Sequence, residues 1–120
     1  MDEKRKETRK KVMAFTPVYN MDRERRVLLG YLLDLALQGA MEIGEKTLEI
    51  DKQVILAIEF PDSLPGIPDT RMTIPARVVR CIKDEGPQDF DIGFAFLEFN
   101  PEHTKIIQAL LDRYHFRHQI

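Results

Sequence analysis

Cysteine, tryptophan and long apolar runs are scarce or absent in this chain of 120 residues. The single cysteine, Cys81, excludes a disulfide within the chain and a zinc site built from cysteines. No apolar run approaches the ~18 residues that a membrane-spanning helix requires. The N-terminus is charged and has no apolar segment of the secretory type, so we expect a cytosolic protein without a membrane partner.

Sequence patterns that carry catalysis or bind a metal are also missing. There is no Ser–His–Asp set, no glycine loop for phosphate and no paired-carboxylate motif, so we expect neither an enzyme nor a cofactor. His115 and His118 are three residues apart, and Asp112 could join them, but side chains from one short helix end rarely complete a tetrahedral metal site. Cys81 lies within a strand pattern and is predicted to be a small core residue.

Charge is distributed unevenly along the chain. The formal net charge is −2, which argues against a general nucleic-acid binder, because such domains are usually basic throughout. Residues 1–11 nevertheless carry six bases and three acids, a local charge of +3. A charged terminal run of this type is ordinarily a solvated, flexible tail. This one contains two arginines four residues apart, Arg5 and Arg9.

Alternating, β-branched and aromatic residues predict about six strands. The predicted strand segments are 12–19, 27–37, 40–50, 54–60, 72–82 and 92–99. Glycine at position 39 and the proline-rich segment 61–69 mark connections between them. Within the segment 40–50, Met41 and Ile43 alternate with Glu42, which is the pattern of a strand with one apolar and one polar face.

The last segment of the chain changes its period. Asn100 followed by Pro101 predicts a helix start, and apolar residues then recur at three- to four-residue spacing, which predicts a helix over about 101–116. Six short strands and one helix predict an all-β-dominated fold. We expect a six-stranded antiparallel β-barrel with a C-terminal α-helix on its side or capping an end. A flexible basic arm over 1–11 would precede a single domain over 12–120.

The segment DLALQGA, residues 34–40, holds a candidate ligand contact at a strand end. Period two places Leu33, Leu35 and Leu37 toward the barrel interior and Asp34 and Ala36 on the outer face. An outward carboxylate can accept two hydrogen bonds from one planar partner, such as the N1 and N2 donors of guanine. On its own, this pattern is ordinarily that of a solvated aspartate near a turn.

Gly39 completes this segment. A glycine can adopt a positive φ, and it would let a ligand approach the backbone closely. We therefore predict a turn at Gly39 beside the candidate carboxylate.

Taken together, the two motifs resemble those of the PilZ domain, a family of receptors for the bacterial second messenger cyclic di-GMP. The family pattern is R-x-x-x-R followed by [D/N]-x-S-x-x-G. Arg5 and Arg9 match the first motif, and Asp34 and Gly39 match the second. Ala36 stands where the family has serine, which is the one departure within the two motifs. The resemblance extends over nearly the whole chain, and the ending DIGFAFLEF is similar to the last strand of the family.

This resemblance implies a receptor that binds cyclic di-GMP through Arg5, Arg9, Asp34, Ala36 and Gly39. An arginine fork suits both phosphate oxygens and the O6 and N7 acceptors of guanine. The resemblance also implies that the basic arm closes over the ligand and that its ordering changes the surface offered to a downstream protein partner. The hydroxyl missing at Ala36 is worth about 0.5–1.5 kcal/mol as a hydrogen bond, which predicts weakened rather than abolished binding.

Two other classes of protein remain open from the sequence. A PilZ-like domain that does not bind the nucleotide would be a protein-interaction module, and the family has such members where the arginine motif is degraded. The intact Arg5, Arg9, Asp34 and Gly39 favour the receptor. A nucleic-acid-binding barrel with a basic arm would need an aromatic-rich binding face, whereas the strand phenylalanines are predicted to point inward, so we expect no nucleic-acid partner.

Overall fold

A computed structural model of the chain describes residues 11–12, 16–83 and 89–116. Its elements are β1 (Lys11–Val12), β2 (Pro17–Asp22), β3 (Arg25–Leu35), β4 (Gly39–Gly44), β5 (Gln53–Glu59), β6 (Arg71–Lys83), β7 (Phe90–Phe96), α1 (Pro101–Arg113) and β8 (Tyr114–His115). The segment 12–19, predicted as one strand, contains the second residue of β1 and the first three residues of β2, and its residues 13–15 lie outside the described ranges.

Strands β2 to β7 close into an antiparallel barrel with the order β2-β3-β4-β7-β6-β5. The predicted six-stranded antiparallel barrel with one C-terminal helix is therefore confirmed. Closure occurs because β2 pairs with β3 on one side and with β5 on the other. A closed sheet avoids the unpaired backbone groups that an edge strand exposes. The two short strands β1 and β8 pair with each other in parallel.

The barrel interior is filled by apolar side chains from all six of its strands. Leu56 and Ile74 are completely buried, and on β7 Ile92, Phe94 and Phe96 all belong to the same core cluster. The prediction that the strand phenylalanines point inward is therefore confirmed for Phe94 and Phe96. It also follows that Phe94 and Phe96 are not available on an outer binding face.

The C-terminal helix begins where the sequence indicates. The side chain of Asn100 accepts a hydrogen bond from the His103 N–H at 2.8 Å, and proline occupies the first helical turn. The helix ends at Arg113 rather than near residue 116, because Tyr114 is extended and pairs with Lys11. Its buried residues, Ile107 and Leu110, join the barrel core.

One end of the barrel carries the helix. The strands β2, β4 and β6 begin at this end, and β3, β5 and β7 finish there, as their antiparallel registers require. The chain leaves β7 here and enters α1, and Leu64 and Ile67 from the loop after β5 share one core cluster with the helix. We call this the helix end of the barrel. Of the two predicted helix positions, the helix thus closes an end.

The inner and outer faces of β3 differ from the sequence prediction. Its pairing with β4 shifts register between Leu32 and Asp34, which makes Leu33 the extra residue of a β-bulge. Leu32 and Leu35 consequently both lie in the core cluster, whereas Leu37, predicted to point inward, is 39% exposed in the following turn. The period-two prediction is correct for Asp34 and Leu35 but wrong for Leu33, which is the bulge residue and is not part of the core cluster, and for Leu37, which follows the end of β3 at Leu35.

On β4 the polar residue Glu42 faces inward, whereas its apolar neighbours Met41 and Ile43 do not. Glu42 is only 1% exposed, and its cross-strand partners are the core residues Leu32 and Ile92. Ala40 belongs to the core cluster, and residues two apart on a strand share a face, so Glu42 points into the barrel. Met41 therefore lies on the outer face.

Candidate functional site

The segment DLALQGA forms the hairpin between β3 and β4 at the helix end of the barrel. The Ala36 N–H donates to the Gly39 carbonyl at 2.8 Å, and the Gly39 N–H donates to the Ala36 carbonyl at 3.4 Å. These reciprocal bonds leave a loop of two residues, Leu37 and Gln38. The hairpin thereby brings together Asp34, Ala36 and Gly39, three of the five residues singled out from the sequence.

Asp34 lies on the outer face of the barrel, as predicted. Its cross-strand partner is Met41, and the adjacent pair, Leu35 and Ala40, belongs to the core on the opposite face. The side chain is nevertheless only 7% exposed, so it is not a freely solvated carboxylate. Its Oδ1 accepts a hydrogen bond from the Leu35 N–H at 2.8 Å. This bond orients the group, while a carboxylate retains lone pairs for further donors.

Glycine is needed at position 39 for a structural reason that differs from the expected positive φ. Its φ lies outside the positive range, so the turn does not depend on a left-handed glycine. A Cβ at this position would instead lie 2.2 Å from the backbone oxygen of Phe94 on β7. The glycine is required because β4 and β7 approach each other too closely for a side chain.

Small residues continue the outer face from the hairpin onto β7. Gly39 is opposite Ala95, and Met41 is opposite Gly93. Since neither Gly93 nor Ala95 has a side chain beyond a methyl group, they form a shallow floor beside the hairpin. Sequence reasoning missed this floor, because only the register between strands places these residues beside the motif.

The N-terminal arm joins the barrel next to the same hairpin. Arg5 and Arg9 lie outside the described residues. The Thr16 carbonyl accepts a hydrogen bond from the Leu32 N–H at 2.9 Å, two residues before Asp34. Nearer to the arginines, Lys11 pairs with Tyr114 after the helix. The chain that follows the two arginines is therefore attached to the barrel at two points.

Tyr114 holds the second of these attachment points in place. Its ring is 3% exposed, and its hydroxyl donates a hydrogen bond to Asp62 in the loop after β5. Burial, together with this bond to a carboxylate, raises the pKa of Tyr114 to about 12. The phenol is thus neutral at physiological pH and remains a donor to Asp62.

Glu42 is an acid near the hairpin with a strongly raised pKa, although it lies on the other side of the sheet. Neither of its carboxyl oxygens has a hydrogen-bond partner within the described structure. Burial raises its pKa to about 8, so the side chain is mostly protonated at neutral pH. Because it points into the barrel, Glu42 does not contribute to the outer face that carries Asp34.

Over residues 11–12, 16–83 and 89–116, no group of three or more histidine, cysteine or acidic side chains is placed to hold a metal ion. Of the two histidines that were weighed and discounted as a metal pair from the sequence, His118 lies outside the described residues. Cys81, predicted as a core residue, is half-buried and packs against the core cluster. No helix in the same ranges is long and apolar enough to cross a bilayer.

A family model for the PilZ domain matches residues 3–113. The chain therefore belongs to the PilZ family, as the paired motifs and the barrel with its C-terminal helix suggest. PilZ domains are generally modules that bind cyclic di-GMP, and they are receptors rather than enzymes. No curated protein matches the chain.

Proposed function

We propose that this PilZ domain is a receptor for cyclic di-GMP. The basic arm would bind the ligand through Arg5 and Arg9, and the β3–β4 hairpin would bind it through Asp34, Ala36 and Gly39. The observation that carries the proposal is one of position. The hairpin with the second motif and the attachment of the arm that carries the first motif are adjacent at the helix end of the barrel.

The length of the arm is compatible with this role. Arg9 precedes Thr16 by seven residues, which span at most about 23 Å of extended chain. Thr16 is hydrogen-bonded to Leu32, immediately before the bulge that leads to Asp34. A chain of this length allows Arg9 to reach the outer face beside the hairpin, and the proposal requires the same of Arg5.

Each motif has a chemical task in this proposal. Asp34 accepts hydrogen bonds from the N1 and N2 donors of one guanine, and its bond to the Leu35 N–H keeps the carboxylate oriented. Arg5 and Arg9 supply planar forks to phosphate oxygens and to the O6 and N7 acceptors of guanine. Ala36 offers no hydroxyl, so the site has one donor fewer than the family motif.

Ordering of the arm is the proposed signal. An arm that closes over the ligand covers the outer face and adds its own side chains to the surface beside the helix end. A downstream protein that recognises this new surface would distinguish the bound from the free state. The free energy for ordering the arm comes from the ligand contacts, because a ligand shifts an equilibrium only through its differential affinity.

Titration calorimetry of the whole chain tests the proposal. We expect saturable binding of cyclic di-GMP and little binding of GTP, cyclic AMP or single-stranded oligonucleotides. Arg5→Ala and Arg9→Ala should each weaken binding by about tenfold or more, because hydrogen bonds to charged groups are worth about 1.5–3 kcal/mol. Arg25→Ala removes an exposed arginine on β3 and is the matched control, expected to bind as the parent does.

The alternative functions give different results in the same titration. No heat at high micromolar cyclic di-GMP would identify a protein-interaction module that does not bind the nucleotide. Equal binding of oligonucleotides would identify a nucleic-acid-binding barrel. Parent-like affinity of both Arg5→Ala and Arg9→Ala would show that the basic arm is only a solvated tail.

A further inference from the structure

A row of cross-strand pairs runs over the outer face from Asp34 on β3 to an arginine on β6. Asp34 pairs with Met41, Met41 with Gly93, and Gly93 with Arg80. Cross-strand partners share a face of the sheet, so Arg80 lies on the same outer face as Asp34. Three strand spacings of about 4.8 Å separate them, which is at most about 14 Å along the sheet.

Arg80 reaches this face because of a second β-bulge. Val78 is completely buried in the core, and simple alternation would direct residue 80 inward as well. The pairing of β6 with β7 shifts register between Val78 and Arg80, so Val79 is the extra residue and Arg80 turns outward. The bulge thus places a charged side chain where the sequence period predicts a core residue.

The aliphatic part of the Arg80 side chain lies over Gly93, one of the two small residues that form the floor. A Cβ built on Gly93 would be 3.2 Å from the Arg80 Cβ and 4.0 Å from its Cδ. Gly93 is buried as a result, although it is on the outer face. The aliphatic part of Arg80 therefore forms a wall at the β6 side of the floor.

The charge of Arg80 is available to a ligand. Its side chain is exposed, and no ion pair joins it to another residue in the described ranges. The neighbouring Arg77, which pairs with Ala95 on the same face, is already bonded to Asp51 at 2.7 Å. Arg80 is accordingly the better candidate for an anion.

The outer face consequently has a negative side at β3 and a positive side at β6. A phosphate is repelled by Asp34 and attracted by Arg80, whereas the donor edge of a guanine prefers Asp34. We propose that Arg80 binds a phosphate group of cyclic di-GMP from the β6 side of the floor and so sets the orientation of the ligand. This inference rests on the proposed function, because it concerns the same ligand and the same face.

Substitution of Arg80 tests the inference by calorimetry. Arg80→Gln keeps the carbons that cover Gly93 and removes the charge, so we expect about tenfold weaker binding of cyclic di-GMP or more. Its affinity should also depend less on salt, since an ion pair has been lost. Arg80→Lys keeps the charge without the planar fork and should bind with intermediate affinity.

Arg71→Gln is the matched control. Arg71 is an exposed arginine at the start of the same strand, beyond the part of β6 that pairs with β7, and its substitution changes the net charge equally. We expect its affinity to stay within about twofold of the parent, because long-range charge effects are largely screened at physiological salt. The melting temperatures of all three variants are measured alongside.

The possible results separate the inference from the proposed function. If the parent binds cyclic di-GMP and Arg80→Gln binds equally well, Arg80 has no part in the site and the proposed function still stands. Equal weakening by Arg80→Gln and Arg71→Gln would show a general charge effect and would also overturn the inference. If the parent itself does not bind the ligand, both proposals fail.

Discussion

Glu42 is an acid in the apolar interior of the barrel, between Leu32 and Ile92 on the neighbouring strands. Its pKa is raised from an ordinary value of 4.5 to about 8 by burial. The folded state therefore keeps a proton that the unfolded chain loses. Below pH 4.5 the side chain is protonated in both the folded and the unfolded state, so its raised pKa does not affect stability there. As the pH rises from 4.5 toward 8, the unfolded chain loses this proton while the folded state keeps it, and the free energy of unfolding falls.

Glu42→Gln should remove this pH dependence. Near pH 8 we expect the variant to be more stable than the parent by on the order of 3–5 kcal/mol, since each pKa unit corresponds to about 1.4 kcal/mol. Near pH 4.5 the two proteins should be almost equally stable. Urea unfolding at several pH values measures the difference. Glu45→Gln, in the exposed turn after β4, is the control, and equal pH slopes for Glu42→Gln and the parent would contradict the prediction.

Ala36 is the residue at which the hairpin departs from the family motif. Ala36→Ser adds a hydroxyl beside the backbone bonds that close the hairpin, so we expect tighter binding of cyclic di-GMP. One additional hydrogen bond of about 0.5–1.5 kcal/mol corresponds to roughly two- to 13-fold in affinity. Calorimetry compares it with Gln38→Ser, which places a hydroxyl in the same loop. Unchanged affinity for Ala36→Ser would mean that position 36 does not contact the ligand.

At the scale of elements, the contact between β4 and β7 decides how the hairpin is held. Gly39 is where these strands approach most closely in the motif, and the atom in the way is a backbone oxygen, which cannot move aside as a side chain can. The shape of the hairpin and the small-residue floor beside it thus depend on the same pair of strands. Damage to this pairing should affect the stability of the barrel as well as the site.

Gly39→Ala is therefore expected to destabilise the protein even without a ligand. Overpacking a tight contact typically costs about 1–3 kcal/mol, and a Cβ 2.2 Å from the Phe94 oxygen is a severe case. Thermal and urea unfolding measure the loss. Gln38→Ala changes the adjacent exposed residue of the same turn and should leave stability unchanged. A fully stable Gly39→Ala variant would show that the strands can separate at little cost.

At the scale of the whole molecule, the arm and the barrel are connected through both ends of the chain. Lys11 pairs with Tyr114, and the Tyr114 hydroxyl bonds Asp62, so the root of the arm, the end of the helix and the loop after β5 form one set of contacts. A ligand bound between arm and hairpin would therefore act on the surface near the C-terminal helix. In the proposed mechanism, these contacts would be the route from ligand binding to a partner protein.

Amide hydrogen exchange tests that route. We expect residues 1–10 to exchange rapidly in the free protein and to become protected when cyclic di-GMP binds. The Arg9→Ala variant, at the same ligand concentration, should show less of this protection. The helix α1, which is packed on the core in the free protein, serves as the internal reference. High protection of residues 1–10 without ligand would rule out a switch based on ordering the arm.

Local sequence signals determined the class of fold. Alternation over β7, the turn at the β3–β4 hairpin and the Asn100 cap are set by residues close together in the chain, and each was predicted correctly. The resemblance to the PilZ family was read from linear motifs, and the match of the family model over residues 3–113 confirms the family. The connection of these elements into six strands and a helix followed from their order.

Only the tertiary structure decided which side chains lie on the outer face of the barrel and which face the core. The bulges at Leu33 and Val79 reverse the alternation, and they arise from pairing with a neighbouring strand, so no period within β3 or β6 reveals them. They place Leu32 and Glu42 opposite each other inside the barrel and turn Arg80 outward, onto the face of Asp34. A linear sequence specifies the residues of each strand, but the contacts across strands exist only once the barrel has closed.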